Sequence, residues 1–121
     1  MAEGGYERVG GREALHGIVS RFYDKLVRTP SVSRHFIHVD LPRLVDHQTD
    51  LIATLLRQPG AASDGKLRDA HAGRGITEGE FEIMILILRE SLEEEGVPQA
   101  VSGEIIAEMR KRMALVIEPQ E

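Results

Sequence analysis

The amino-acid sequence predicts an all-α protein, and three observations carry this prediction. Apolar residues recur three and four positions apart over several long stretches, which is the spacing of one face of an α-helix. No stretch shows the pattern of a strand. Glycine and proline residues stand between the periodic stretches, where they end helices. Since 121 residues suffice for one modest core, we predict a single domain over residues 1–121 with about five substantial helices.

Composition and charge exclude several classes of function. Acidic residues exceed basic ones, 20 against 15, and the net charge of −5 argues against nucleic-acid or membrane-surface partners, since both need a basic face. The absence of cysteine excludes disulfides, thiolate metal sites and cysteine nucleophiles. We expect a soluble cytoplasmic protein, because the sequence shows neither a signal peptide nor an apolar stretch of about 20 residues. A core so poor in aromatic rings has room for a bound apolar cofactor.

The first half of the chain predicts two long amphipathic helices. One covers residues 12–28, and Pro30 ends it, because proline disfavours helical geometry in the residue before it. Residues 1–5 are expected to form a loose tail. The second helix begins at Asp40, a good cap residue with a proline in the first turn, and its apolar face runs to Leu56.

Two polar residues interrupt the apolar faces of these helices. Gln48 occupies a position in the second helix where the period requires an apolar residue, and Tyr23 lies on the apolar face of the first. A buried amide without a partner costs roughly 2 to 7 kcal/mol, so each residue either has a partner in the protein or faces a polar ligand. Taken singly, the two interpretations are equally good. Together, on adjacent helices, the residues indicate one shared polar spot inside an apolar cavity.

A single histidine follows on a short helix in the second half. Residues 58–66 form a loop by composition, and the short helix after it carries His71 and is stopped by Gly73 and Gly75. At the end of such a helix, the imidazole can point at whatever lies between the flanking helices. A lone histidine in an apolar setting is more often a hydrogen-bonded core or surface residue than a ligand, so other evidence must decide.

Two longer helices complete the chain. Thr77 and Glu80 have the spacing of a capping box, which opens a helix whose residues 81–88 are apolar all round. The acidic run 93–95 at its end is expected to be a solvated helix terminus. Pro98 starts the final helix.

Three groups of residues have part of the spacing of a known phosphate-binding or metal-binding site, but each lacks residues that such a site requires. Residues 60–67 nearly spell a phosphate-binding loop, but they lack the hydroxyl residue that holds magnesium and follow a helix where the motif requires a strand. Glu13 and His16 have the spacing of a di-iron ligand pair, but no second pair exists. His35 and His38 could bind a metal weakly, and surface positions are the favoured interpretation. No serine or paired-carboxylate catalytic set is present.

Several short motifs carry a resemblance through their order and spacing. They are Tyr6-Glu-Arg-Val-Gly-Gly11, Arg21-Phe22-Tyr23, His35-Phe36, His47-Gln48, Ala70-His71-Ala-Gly-Arg-Gly-Ile76 and Gly96-Val97-Pro98. Together they resemble the truncated haemoglobins, specifically group I, over roughly residues 6–115. The resemblance implies a two-over-two helical sandwich around haem b. It also implies that a loop replaces most of the proximal helix, which agrees with the loop predicted at residues 58–66.

The resemblance also implies roles for individual residues. His71 corresponds to the proximal iron ligand, and Phe36 is similar to the ring that wedges the haem. Tyr23 and Gln48 correspond to the residues that hydrogen-bond the ligand. Leu44 occupies the site where ordinary globins keep a distal histidine. The remaining residues implied to line the haem cavity are Phe22, Ile52, Leu55, Leu67, Ile76, Phe81, Met84, Ile105 and Met109.

Three further positions keep two interpretations each. Lys66 and Arg74 either bind the haem propionates or form surface salt bridges. His47 either coordinates the iron, as a histidine before the distal glutamine does in the cyanobacterial haemoglobins, or reaches a propionate like the basic residue found there elsewhere in the family. The sequence also departs from the family pattern. The glycine pair that usually ends the distal helix is absent at residues 57–60, and no histidine follows His71 that could link to haem covalently.

Three functions follow as hypotheses. The leading one is a haem protein that binds oxygen and other diatomic gases such as nitric oxide and carbon monoxide, for oxygen transport or for nitric oxide dioxygenation with a reductase partner. Whether the protein is an enzyme stays open. The second is a bis-histidine redox or sensor protein with His47 as the sixth iron ligand. The third is a helical interaction module without a cofactor, which a Soret band in the visible spectrum eliminates.

Overall fold

The computed structural model describes residues 5–57 and 75–111. In these two ranges the chain consists of helices and short connections without any strand, which confirms the all-α prediction. The helices are α1 (Gly5–Arg8), α2 (Gly11–Leu26), α3 (Pro30–Ser33), α4 (Leu41–Arg57), α5 (Glu78–Glu94) and α6 (Gln99–Lys111), with a 3-10 turn at Arg34–Phe36. None of these helices is long and apolar enough to cross a bilayer. The short helix predicted to carry His71 lies outside the described residues.

A pair of glycines allows α1 to continue directly into α2. Gly10 and Gly11 have φ angles of 109° and 82°, which side chains rarely tolerate. The preceding residue, Val9, is buried by this arrangement. The prediction that Gly5 belongs to a loose tail is wrong, because it begins α1, and α1 packs against α2, α4 and α6.

Local signals in the sequence account for the boundaries around α3 and α4. Thr29 has an extended backbone, with φ −100° and ψ 105°, as expected before a proline, and Pro30 is the first residue of α3. Asp40 caps α4, because its Oδ1 atom accepts a hydrogen bond of 3.2 Å from the backbone N–H of Arg43. Both predicted signals are therefore confirmed. The first long helix ends at Leu26, slightly before the predicted boundary.

The capping box at the start of α5 is also confirmed. The hydroxyl group of Thr77 accepts a hydrogen bond of 3.1 Å from the backbone N–H of Glu80. In return, the Glu80 carboxylate accepts one of 3.0 Å from the backbone N–H of Thr77. These bonds satisfy two N–H groups that the first turn of a helix otherwise leaves without partners.

The long helices form two pairs that enclose one core. Helix α2 packs against α4 and α5, and α5 packs against α6, which gives the two-over-two arrangement. The buried apolar residues come from all of these helices, from α3 and from Val9 in the turn between α1 and α2. They are Val9, Leu15, Ile18, Val19, Tyr23, Leu26, Val32, Val45, Phe81, Ile85, Ile87, Leu92, Val101, Ile105 and Ile106.

One prediction about α5 is wrong, and another is incomplete. Its apolar run is not enclosed on all sides, because Leu86 is 62% exposed. The acidic run at its end is exposed, as predicted, and it also forms ion pairs with α2. Glu94 accepts a hydrogen bond of 2.9 Å from Lys25, and Glu95 accepts one of 2.9 Å from Arg21. The bond from Lys25 holds the pKa of the Glu94 carboxyl group below its usual range, and these ion pairs join α2 to the end of α5.

Candidate functional site

The two polar residues singled out in the sequence lie inside the protein. Tyr23 on α2 is 7% exposed, and Gln48 on α4 is 6% exposed. Their helices pack directly against each other. The side chain of Gln48 forms no hydrogen bond with any of the described residues. Its amide is not fully enclosed, because among the described residues only the Oγ atom of Ser102 is both fully buried and without a partner.

Two aromatic rings contact the ring of Tyr23. The centroids of Phe22 and Tyr23 are 5.1 Å apart with the ring planes at 74°. Phe36, at the end of the 3-10 turn, lies 5.7 Å from the Tyr23 centroid at 81°. Both arrangements are edge-to-face, which is favourable for aromatic pairs. The Tyr23 ring is therefore held between a neighbour on its own helix and a ring from the turn before α4.

Most of the apolar side chains predicted to line the cavity belong to the core or pack against it. Ile76 and Phe81 are buried. A second group is only partly buried against the core, although its members are apolar and lie on α2, the 3-10 turn, α4, α5 and α6. From the predicted cavity lining, this group contains Phe22, Phe36, Leu44, Ile52, Met84 and Met109. Ile105 from the same prediction is buried.

Other predicted site residues are exposed or lie beyond the described ranges. His47 is exposed, although its neighbour Gln48 is buried, and it forms no hydrogen bond or ion pair with the described residues. Its position fits the edge of the apolar face of α4. The positions that lie outside the described residues are Lys66, Leu67, His71 and Arg74, and the same holds for the side chain of Leu55.

Comparison with known proteins identifies the family. The family model for the bacterial-like globins matches residues 5–118. A group 1 truncated hemoglobin of Tetrahymena pyriformis is 32% identical over 111 residues, which cover 89% of this chain and 92% of the relative. The group 1 truncated hemoglobin GlbN of Mycolicibacterium paratuberculosis is 32% identical over 101 residues, 84% of this chain and 74% of the relative. The chain belongs to the group 1 truncated haemoglobins.

The fold of this globin agrees with a solved structure of the family. A crystal structure of the Tetrahymena pyriformis truncated hemoglobin in its Fe(III) form superposes with a TM-score of 0.83 at 26% identity, covering 97% of this chain and all of the other. The truncated globin fold implied by the resemblance is therefore confirmed. The cofactor of this globin is haem iron.

The described residues fit a haem group chemically. A porphyrin has two apolar faces, and the partly buried apolar side chains from five elements offer surface of that kind. Gln48 lies on the same helix as Leu44 and Ile52 and adds a mostly buried amide to this apolar surface. The fit therefore rests on apolar side chains together with one amide that forms no hydrogen bond with the described residues.

The residues whose spacing resembles other metal sites do not come together as metal-binding clusters in the described part of this globin. His16 donates or accepts a hydrogen bond of 2.8 Å with Asp46, and Glu13 is exposed. Among the described residues, no group of three or more histidine, aspartate or glutamate side chains could hold a metal ion. His38 is exposed as expected, but the surface prediction for His35 is wrong, because its side chain is only 5% exposed.

A buried carboxylate explains why His35 is inside, and sequence reasoning missed it. The ring Nε2 of His35 lies 2.9 Å from Oε2 of Glu80. The guanidinium group of Arg34 lies 3.0 Å from the other carboxylate oxygen. Burial raises the pKa of the Glu80 carboxyl group, but hydrogen bonds from Thr77 and His35 outweigh burial, so the pKa lies below its usual value. The capping box signalled Glu80 as a helix cap, and nothing in the sequence linked it to residues so far away.

Proposed function

We propose that this globin binds oxygen and other diatomic gases reversibly at its haem iron, with nitric oxide dioxygenation as one use. The observation that carries the proposal is the burial of Tyr23 and Gln48 on neighbouring helices, inside a mainly apolar surface. Two hydrogen-bonding side chains at such a place suit a small polar ligand better than they suit packing. Haem supplies the bond to that ligand when it is bound.

Variants of a relative add support for these positions. The solved structures of the Tetrahymena pyriformis protein include one with a tyrosine changed to phenylalanine and two with different glutamines changed to glutamate. Counting from that tyrosine, the two glutamines stand at the separations that Leu44 and Gln48 have from Tyr23. This chain thus has a tyrosine and one glutamine at matching separations, with leucine in place of the other glutamine.

In the proposed ligand pocket, Tyr23 and Gln48 are hydrogen-bond donors, and Leu44 is apolar. The Tyr23 hydroxyl group and the Gln48 amide can each donate a hydrogen bond to an oxygen ligand, which carries partial negative charge. Leu44 offers no donor and keeps that side of the pocket apolar. In apolar surroundings, a donor aimed at negative charge is worth more than in water, because no water competes with it. The arrangement therefore favours oxygen over carbon monoxide, which carries less charge.

On the other side of the haem, we propose His71 as the iron ligand. It is the histidine that the sequence places on a short helix before Gly73 and Gly75. Lys66 and Arg74 are the proposed partners of the haem propionates. The exposure of His47 supports a propionate or solvent contact for that residue rather than coordination of the iron.

The proposal is tested first with the purified wild-type protein. We expect a Soret band, and a ferrous spectrum that changes on exposure to oxygen and returns when oxygen is removed under argon. Rapid irreversible oxidation by air would contradict reversible oxygen binding. Absence of a Soret band after reconstitution with haem would contradict the haem assignment itself.

Nitric oxide dioxygenation needs a separate measurement. One nitric oxide molecule, one oxygen molecule and one electron give one nitrate ion, so sustained turnover requires a reductase. We expect nitrate to form in a single turnover when the air-saturated ferrous protein is mixed with nitric oxide, and repeatedly when a flavin reductase and its reduced nicotinamide cofactor are added. Ion chromatography measures nitrate. Oxygen binding without nitrate formation would leave the globin a carrier.

A further inference from the structure

A cluster of polar side chains around Glu80 lies at the junction of the 3-10 turn and α5. The Glu80 carboxylate accepts hydrogen bonds from the Arg34 guanidinium, the His35 ring and the Thr77 backbone. The side chains of His35 and Glu80 are 5% and 10% exposed, so their bond is shielded from water. Simple helix capping requires none of the contacts to the turn.

The cluster is connected to the proposed ligand pocket through one residue. Phe36 follows His35 directly, and the two ring centroids are 6.3 Å apart with the planes at 73°. On its other side, Phe36 meets Tyr23 edge-to-face at 5.7 Å. A fixed His35 ring therefore restricts Phe36, and Phe36 restricts the ring whose hydroxyl group is the proposed donor to the ligand.

We propose that the His35–Glu80 pair is a positioning device that fixes Phe36 and, through it, the Tyr23 hydroxyl group, and so controls how long the pocket retains oxygen. The inference rests on the proposed function, because it assumes that Tyr23 donates to the ligand. Neither His35 nor Glu80 contacts the ligand. Their effect is geometric, and a donor displaced by a few tenths of an ångström forms a weaker hydrogen bond.

Two substitutions remove the pair and one preserves it. His35→Leu keeps a buried side chain of similar size but removes the donor to Glu80. Glu80→Gln keeps the residue type that a capping box accepts, yet turns an amide N–H₂ toward the donors of His35 and Arg34. His35→Gln retains an N–H donor near the position of Nε2 and serves as the conservative variant. The matched control is Glu82→Gln. Glu82 lies on α5, the helix that also carries Glu80, and the variant breaks its exposed ion pair with Arg110 of α6.

The readout is spectroscopic as well as kinetic. We expect His35→Leu and Glu80→Gln to shift or broaden the C–O stretching band of carbon monoxide bound to the ferrous protein, because that band reports hydrogen bonding at the ligand. Oxygen release should accelerate by about three- to tenfold, which corresponds to losing part of one hydrogen bond. His35→Gln should largely restore both values, and Glu82→Gln should leave both unchanged. Wild-type values in a folded His35→Leu protein would overturn the proposal.

A double variant separates this proposal from the proposed function. If the pair acts through the tyrosine, His35→Leu will change oxygen release much less in a Tyr23→Phe background than in the wild type. Equal changes in both backgrounds would overturn the positioning role. If Tyr23→Phe alone has no effect, the role of Tyr23 in ligand binding fails. In that case, the nuclear Overhauser contact between Phe36 and Tyr23 still tests the positioning, since it should weaken in His35→Leu and persist in Glu82→Gln.

Discussion

Two buried polar side chains of this globin have opposite surroundings. Glu80, at the start of α5, accepts hydrogen bonds from three residues on two elements. Gln48, on α4, has its amide inside the protein and forms no hydrogen bond with a described residue. Both are buried, and both are of a residue type that folded proteins usually keep at the surface.

The difference separates a structural role from a binding role. A buried polar group that the protein itself satisfies stabilises one arrangement of the chain, as Glu80 does for the turn and α5. A mostly buried amide that forms no hydrogen bond with the described residues keeps its donor and acceptor for a ligand. The junction at Glu80 therefore acts as a fixed frame, whereas Gln48 keeps the hydrogen-bonding capacity that its proposed role at the ligand requires.

The largest expected effect is on haem binding, and it tests whether His71 is the iron ligand. His71→Gly should abolish stable haem binding, because the iron of a globin takes its proximal bond from one imidazole. Pyridine haemochrome analysis measures the haem stoichiometry, and added imidazole should restore part of it. Without haem, the variant should also lose the stabilisation that binding gives, about 2.7 kcal/mol at a hundredfold excess over the dissociation constant.

A matched control for this test is the exposed His38. His38→Gly should retain full haem content and the wild-type carbon monoxide spectrum of the ferrous protein. Full stoichiometry and an unchanged spectrum in His71→Gly would mean that another residue is the ligand.

The next effect concerns the donor beside Gln48. Tyr23→Phe removes one charge-assisted hydrogen bond to oxygen, worth roughly 1.5–3 kcal/mol, and should speed oxygen release by about ten- to a hundredfold. Carbon monoxide release should change much less, because that ligand carries less charge. Stopped-flow measurements of both gases check the ratio. Equal changes for the two gases would show that the tyrosine only shapes the cavity.

A smaller effect is expected on the stability of the junction around Glu80. Because the pKa of the Glu80 carboxyl group is lower in the folded protein than its usual value, its stabilisation is present above about pH 4.5 and is lost as the pH falls through the folded-state pKa. Glu80→Gln should therefore lower the free energy of unfolding at pH 7 by about 1–3 kcal/mol. The gap between variant and wild type should close in acid.

Urea unfolding of the haem-loaded protein at pH 7, 5, 4 and 3 measures this gap. Glu82→Gln is the control, because that carboxylate pairs with Arg110 in an exposed position where ion pairs contribute little. A constant gap from pH 7 to pH 3 would show that the charge of Glu80 is not what stabilises the junction.

Sequence reasoning worked where the signal was local. The helical period placed Tyr23 and Gln48 on apolar faces, and the structure buries both. The caps at Asp40 and Thr77 are made by residues within one turn of the helix they start, so their side chains could be read from spacing alone. The wrong tail assignment of Gly5 already shows the limit, since α1 packs against three other helices and the sequence did not indicate those contacts.

Long-range ion pairs were beyond such reasoning. His35 was expected at the surface because a short polar segment carries no periodic signal, and its partner Glu80 lies on another helix. The acidic end of α5 is exposed as predicted, but the sequence did not indicate that Lys25 and Arg21 reach it from α2. In both cases the pairing depends on how helices stack, which hydrophobic burial decides and which charge spacing along the chain does not reveal.

The smallest effect is expected at the exposed neighbour of Gln48. If His47 coordinated the iron, external ligands would have to displace it, and an internal bond favoured a hundredfold would lower their apparent affinity by about the same factor. The side chain is exposed instead, while Gln48 beside it is buried. We therefore expect a wild-type ferrous spectrum that is already five-coordinate and high-spin, and the same spectrum in His47→Ala.

As a propionate or solvent contact, His47 contributes at most a surface ion pair, worth about 0–1 kcal/mol. His47→Ala should accordingly change haem affinity by less than about fivefold, and His47→Lys, which keeps a basic group, should match the wild type. Resonance Raman spin-state markers and haem transfer to an apoglobin acceptor give both values. A sharp low-spin bis-histidine spectrum in the wild type that becomes high-spin in His47→Ala would overturn this assignment. His47 would then occupy the iron position that external ligands need, and a ligand would have to displace it before Gln48 could donate a hydrogen bond to that ligand.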